Sequence, residues 1–334
     1  MSPPPATALS EKPHHHYFDW LRVYACIAVM FHHTVGTTAA AEYALGGFPL
    51  AIAMHSNTML FFAMSGFLFF TSEKTLNFKH FYKDKALRIL VPFFVWNLIY
   101  FFTTQYFYNR PFSFEGFHYI FTQVQEAHLW YLRYMVSVVI FAPFIKRMLD
   151  ALTARQVTGL MFISVIIFML PRDIVLVYPK FVLLFNQGIL GEWFPYLLMG
   201  YLVAKHTFGK KLTAAVYTAG IAAAIFLFTI TTLRLAGVIA QSFRSFWTPA
   251  FFLSTAIFLF AKKHLNIPVR PIKFLANLTF GAYLVHFIFL KLFTRFVPLH
   301  RAIVWSYTEL IFVAVSSFVF AFIIKKIKFL RAIV

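Results

Sequence analysis

The chain is short of acid and short of charge altogether. Eleven aspartates and glutamates stand against 30 lysines and arginines in 334 residues, and charged residues of both signs make up only 12%. Cysteine occurs once, as Cys26 inside an apolar stretch, which excludes a disulfide framework, a Cys-x-x-Cys redox pair and a thiolate zinc site. No polar stretch of domain size exists, so no basic surface domain is left to dock a nucleic acid despite the net charge of +19. A soluble domain carries about 25% charged residues. Soluble enzymes, disordered tails and DNA-binding domains are therefore set aside. What is present is apolar mass: 60% hydrophobic residues, 46 phenylalanines and a mean hydropathy of +0.73. A soluble chain of this length has too little interior to hide that much apolar surface, and a bilayer supplies the missing solvent.

Residues 1–16 are polar, contain Pro3, Pro4, Pro5 and Pro13, and read as a disordered cytoplasmic tail. The first apolar run starts late and is followed by further runs, so no secretory signal is expected. His14, His15 and His16 have weak metal-binding capacity and are assigned to the tail. From Phe18 onward, apolar runs alternate with short basic loops. The expected fold is an all-α polytopic membrane bundle of about ten spans, near 18–38, 55–72, 89–108, 129–145, 156–170, 190–204, 212–233, 246–261, 274–294 and 303–324, forming one membrane domain over 17–334. With the N-terminus inside, 20 basic residues fall in cytoplasmic segments and 7 in outer ones, while Arg22, Arg133 and Lys291 lie within or at the ends of spans. Positive charge is retained on the cytoplasmic side, so both termini are expected there.

Polar residues inside the spans mark the candidate chemistry, because a charged side chain at mid-helix costs roughly 2.5–3.5 kcal/mol on insertion scales. Arg22 and His33 are eleven positions apart on the first span. Eleven residues turn about 1100°, some 20° past three full turns, so both share one face about 16 Å apart along the axis. His32 is turned about 100° away. Read alone, Arg22 fits a snorkelling anchor as well as a functional group, and His33 a buried histidine bonded to a backbone carbonyl as well as a functional one; the shared face favours function. Ser65-Gly66 closes the second span, with Gly66 suited to close helix approach and Ser65 to packing, since no Gly-x-Ser-x-Gly elbow surrounds it. Glu126, His128, Trp130, Tyr131 and Arg133 open the fourth span; Glu126 could equally be a solvated loop residue, and the two aromatics an interfacial belt. Glu192 and His286 lie at similar depth, His55 and Asn57 are expected to line the same vestibule, and Lys291 is read as snorkelling. Several ionisable groups converging at one depth suggest a site.

Arg22-x10-His33, the run Phe61-Phe62-Ala63-Met64-Ser65-Gly66-Phe67-Leu68, Arg88-Ile89-Leu90-Val91-Pro92, His128-Leu129-Trp130-Tyr131-Leu132 and Gly281-Ala282-Tyr283-Leu284-Val285-His286 occur in the order found in acyltransferase family 3. The chain resembles that family over nearly all of 17–334, and within it the compact members acting on envelope polysaccharides, of the enterobacterial common antigen and intercellular-adhesin kind. The extracytoplasmic esterase-like domain of larger relatives is lacking, so acceptor choices that depend on it are not expected.

The resemblance implies transfer of an acyl group, usually acetyl, from cytoplasmic acyl-CoA to a sugar hydroxyl of an extracytoplasmic or lipid-linked glycan, in a bacterial cytoplasmic membrane. Donor, glycan or glycolipid acceptor and lipid bilayer are the expected partners, with no bound cofactor, no metal and no nucleic acid. Catalytic roles are expected for His33, Arg22, Glu126, His128 and His286, with Arg88, Lys85, Ser65, Trp130, Arg133 and Glu192 in substrate binding. The basic loop Lys74–Arg88 suits CoA phosphates, Arg22 the donor or its thioester carbonyl, and His33 general-base or acyl-carrier work. A glycan flippase without acyl chemistry would use a similar aromatic and basic lining. A proton-coupled transporter should show inverted repeats, and none is evident. An acyltransferase built on a buried His and Asn is disfavoured by the first-span Arg-x10-His.

Overall fold

The computed structural model describes residues 14–34, 40–178, 191–239, 246–297 and 303–334. Most of the expected tail, and the outer segments holding Lys180, Arg244 and Arg301, lie outside the described residues. Fourteen α-helices appear among the described residues: α1 Tyr17–Thr34, α2 Ala40–Phe70, α3 Phe78–Lys85, α4 Val91–Phe107, α5 Tyr119–Thr122, α6 Trp130–Ala151, α7 Ala154–Ser164, α8 Leu170–Val177, α9 Phe194–Lys205, α10 Lys210–Leu235, α11 Trp247–His264, α12 Arg270–Ala276, α13 Thr279–Phe296 and α14 Ile303–Lys326. None of these residues is in a strand, as expected where lipid offers no partner to a sheet edge.

Local sequence sets the boundaries. Asn77 caps α3 by accepting from the His80 backbone N–H, and Thr153 with Gln156 forms a capping box on α7. Prolines sit in the first turn of α4, α8, α9 and α12, where their missing N–H has no intrahelical partner to lose. Two π-turns join helices into longer rods: Ala86–Leu90 between α3 and α4, and Val165–Met169 between α7 and α8. Such bulges re-aim side chains, and the first carries Arg88.

Six continuous rods are long and apolar enough to cross a bilayer: Ile52–Phe70, Phe78–Phe107, Ala127–Ala151, Ala154–Val177, Lys210–Arg234 and Tyr307–Lys326. A seventh arises if α12 and α13, bent by 63°, count as one span. Each of the ten expected intervals contains a helix, but with different proportions. The second interval, read as 55–72, belongs to a helix that starts at Ala40 and contains Pro49; His55 and Asn57 had looked like its solvent-facing start. The sixth interval, read as 190–204, contains α9, only 12 residues long and buried from Phe194 to Val203. At 1.5 Å per residue α9 extends about 18 Å, against roughly 30 Å of hydrocarbon. Its apolar character reflects a protein interior rather than lipid.

Backbone proximity explains that interior. A Cβ on Gly66 would lie 2.0 Å from the Leu197 carbonyl oxygen, and one on Gly200 would lie 1.8 Å from the Ala63 carbonyl oxygen. α2 and α9 therefore cross with main chains in contact, the small-residue packing suggested by Gly66. α1 runs between two apolar clusters. Tyr17, Phe18 and Leu21 pack with α2, α6, α9 and α11, while Cys26, Val29 and Met30 pack with α4 and α13. The outer faces of α7 with its following π-turn, α10 and α14 expose Ile163, Ile166, Ile221, Ile225, Ile311, Val315 and Ile323, as lipid-facing helices do.

Candidate active site

Three of the expected histidines meet. The His33 ring on α1 lies 5.6 Å from the His286 ring on α13, and His286 lies 4.7 Å from His128 at the head of α6. Phe287 closes the group, 4.6 Å from His33 and stacked at 4.7 Å on His128. His128 and His286 are buried and His33 is half-buried.

Backbone carbonyls fix two of these tautomers. A carbonyl only accepts, so His286 donates from Nδ1 to the Tyr283 oxygen at 2.5 Å, and His128 donates from Nε2 to the Leu284 oxygen at 3.2 Å. The opposite nitrogens, Nε2 of His286 and Nδ1 of His128, then carry lone pairs, and neither has a protein partner among the described residues. The first turns of α13 thus hold two imidazoles as bases. Tyr283 donates its hydroxyl to the His128 carbonyl, and Tyr100 donates to the Leu284 carbonyl at 2.7 Å. These bonds join α4, α6 and α13 around the cluster.

Beside the cluster is a cavity of about 610 Å³. Its lining includes four cations, Arg22, Arg88, Lys325 and Arg331, together with Ser65, Tyr131, Phe61, Asn277 and Tyr283. Ser65 and Tyr131 share a hydrogen bond of 3.3 Å. Tyr283 belongs to both features: it lines the cavity, and its ring lies 5.8 Å from His286. Arg22 and His33 thus mark the cavity and the histidine cluster on one uninterrupted helix.

The other expected site residues lie elsewhere. Lys85 pairs with Asp84 at 2.9 Å, over the Phe69 and Phe81 rings, and does not line the cavity. Arg88 does line it and pairs with Asp84 at 2.6 Å. Glu126 is bonded to Thr104 at 3.0 Å and ion-paired with Lys291. This corrects the reading of Lys291 as a snorkelling side chain: it turns inward because Glu126 offers it a half-buried counter-charge. Trp130 packs in an aromatic group with Trp193, Tyr134 and Phe62 rather than on the histidines. Arg133 is exposed, and Glu192 faces Arg172 at 3.5 Å. His55 bonds Thr231 on α10 at 3.2 Å, and Asn57 bonds the Met54 carbonyl of its own helix; helix partners, not a shared vestibule, satisfy both.

Several contributors gave little sequence signal. Lys325 and Arg331 come from the far end of the chain and read as ordinary cytoplasmic charges. Asn97, fully buried on α4, donates to the Ile120 and Gln123 carbonyls at 2.7 and 2.8 Å and accepts from the Gln125 N–H at 2.8 Å. It holds the segment that delivers Glu126 and His128. An amide inside an apolar helix was the available clue.

The acyltransferase 3 family model, described as an acyltransferase domain, matches residues 15–326. The chain belongs to acyltransferase family 3. It is a multi-pass membrane acyltransferase transferring groups other than aminoacyl groups. Neither a curated protein nor a solved structure matches it. The family match spans both halves of the site, from α1 with Arg22 and His33 to α14 with Lys325.

Proposed function

We propose that this acyltransferase takes an acyl group, acetyl in the simplest case, from cytoplasmic acyl-CoA and places it on a hydroxyl of an envelope polysaccharide or lipid-linked glycan. The observation that carries the reading is the four-cation cavity separated from the three-histidine cluster by the shared wall of Tyr283. CoA is polyanionic and its acyl thioester is apolar; a cavity with Arg22, Arg88, Lys325 and Arg331 among apolar side chains fits both ends of it. His33 is half-buried and the more accessible base. It accepts the proton of the acceptor hydroxyl as that oxygen attacks the thioester carbonyl. The new C–O ester bond forms, the C–S bond breaks, and the CoA thiolate leaves and takes up a proton. Arg22 grips the donor.

A second recess of about 400 Å³ supports an acceptor of polar, ring-bearing character. It is lined by Glu115, His118, Tyr119, Gln123, Gln125 and Phe101, within and beside the segment leading into His128. Carboxylate, amides and aromatic rings together suit sugar hydroxyls and sugar faces.

Orientation follows from the 20-to-7 basic asymmetry. Both ends cytoplasmic, in a bacterial cytoplasmic membrane, would put the four-cation cavity on the CoA side. A phosphatase or fluorescent reporter fused after residue 334 is expected to read cytoplasmic and one after residue 110 to read external; the opposite pattern reverses the donor and acceptor faces.

The donor assignment has its own test. Arg22→Ala removes a charge-assisted contact worth roughly 1.5–3 kcal/mol, so CoA affinity should fall about tenfold to a hundredfold. His33→Ala should bind CoA as the unaltered protein does. Calorimetry with CoA on detergent-purified variants decides. Unchanged affinity in Arg22→Ala makes that residue a topology anchor, and absence of CoA binding in the unaltered protein favours a glycan flippase instead.

A further inference from the structure

We infer that His14, His16 and Asp19 form a binding site for a divalent transition-metal ion, zinc by their donor chemistry, at the entry to α1. One ligand atom from each of the three lies within 4.8 Å of the others. His14 Nε2 is 2.7 Å from Asp19 Oδ2, and the His14 and His16 rings are 4.7 Å apart at 67°. Two imidazoles and a carboxylate are a borderline-soft donor set that suits zinc and leaves a fourth tetrahedral position for water. With metal–ligand distances near 2.0–2.1 Å, tetrahedral donors stand about 3.3 Å apart. Closing the present arrangement onto an ion therefore needs side-chain adjustment of an ångström or two, within reach of a histidine rotamer.

The local backbone makes this more than a histidine-rich stretch. The His15 and His16 carbonyls accept from the Phe18 and Asp19 N–H groups at 3.1 and 3.0 Å, so the segment is already wound into the start of α1. Successive side chains diverge. His15 turns onto an aromatic shelf, its ring 5.6 Å from Tyr17 and 5.4 Å from Phe67. His14 and His16 are left together on the Asp19 side. Asp19 is only 4% exposed, and a carboxylate withdrawn from water gains from a cation. The nearby Lys262 ammonium is tied to the Val203, Ala204 and His206 carbonyls. It is therefore not available to fill the place of the ion. The site is separate from the histidine cluster at the far end of α1, and the inference does not depend on the acyl-transfer reading.

The test uses the full chain, purified in detergent through a histidine-free tag and titrated with zinc chloride by calorimetry. Cobalt(II) absorption serves as a report on tetrahedral geometry. The unaltered protein should bind one ion more per chain than the His14→Ala/His16→Ala double variant. His14→Ala and His16→Ala should each weaken that ion at least tenfold, and His15→Ala should leave it unchanged. His14 is exposed and His16 half-buried, and a single symmetric chromatographic peak from each variant would verify that folding is undisturbed. The inference is overturned if the single variants bind zinc like the unaltered protein or if no stoichiometric ion is found. Equal weakening by His15→Ala would also overturn it, because the stretch would then be chelating without the arrangement described.

Discussion

Replacing His33 with alanine is expected to lower acyl transfer at least a hundredfold, with the protein still inserted and CoA still bound. A positioned general base contributes about 10²–10⁴ in rate, so a hundredfold loss corresponds to about 2.7 kcal/mol of transition-state stabilisation. The residue is half-buried, faces His286 at 5.6 Å and shares the α1 face of Arg22. His32→Ala should cost far less, although its ring lies only 5.1 Å from that of His33, because it is turned out of the cluster. His286→Gln is the informative companion. It keeps a polar side chain next to Tyr283 but removes the lone pair at Nε2. Release of CoA from labelled acetyl-CoA, followed with a glycan acceptor, measures all three. Equal losses in His32→Ala and His33→Ala would remove the argument from the helix face.

The second large effect is structural. Gly200→Ala should prevent stable folding, with Gly66→Ala close behind it. An added methyl would meet a main-chain carbonyl at 1.8 Å in the first case and 2.0 Å in the second. Overpacking usually costs about 1–3 kcal/mol when side chains can yield; here the opposing atom is backbone, so α2 and α9 must part. A cost of about 3 kcal/mol or more is a large share of the 5–15 kcal/mol that holds a typical domain together. The readout is the yield of monodisperse protein and its unfolding temperature in detergent. Gly159→Ala is the control, because a Cβ there meets nothing within 4 Å. Normal yield from Gly200→Ala would mean that the two helices are not in main-chain contact.

Much of this site was legible because helix periodicity is simple arithmetic: Arg22 and His33 share a face whatever surrounds them, and a histidine in an apolar run needs a reason. His128 and His286 were legible for the second reason only; their meeting with His33 depends on how α6 and α13 pack. Glu126 was read as a site residue and Lys291 as an anchor, since nothing in a linear pattern pairs two residues 165 positions apart. Lys325 and Arg331 fit the topology pattern so well that the same charges concealed a place in the cavity wall. The burial of the short α9 among other helices was not legible for a related reason. Hydropathy registers absence of water, and it does not distinguish lipid from a crowd of neighbouring helices.

The first helix also acts as a gauge. Because α1 is unbroken from Tyr17 to Thr34, the distance between Arg22 and His33, the proposed donor grip and the proposed base, is fixed in steps of helical rise, and their angular phase in steps of about 100°. One residue added between positions 22 and 33 would swing the imidazole out of line while lengthening the interval by only about 1.5 Å. Drift in this stretch is thus restricted to substitution, or to changes of nearly whole turns, about 5.4 Å each. A whole-turn change would preserve alignment but, on the proposed donor reading, alter how far a bound thioester must extend. Spacing, more than the identity of the intervening residues, is what this part of the chain has to keep.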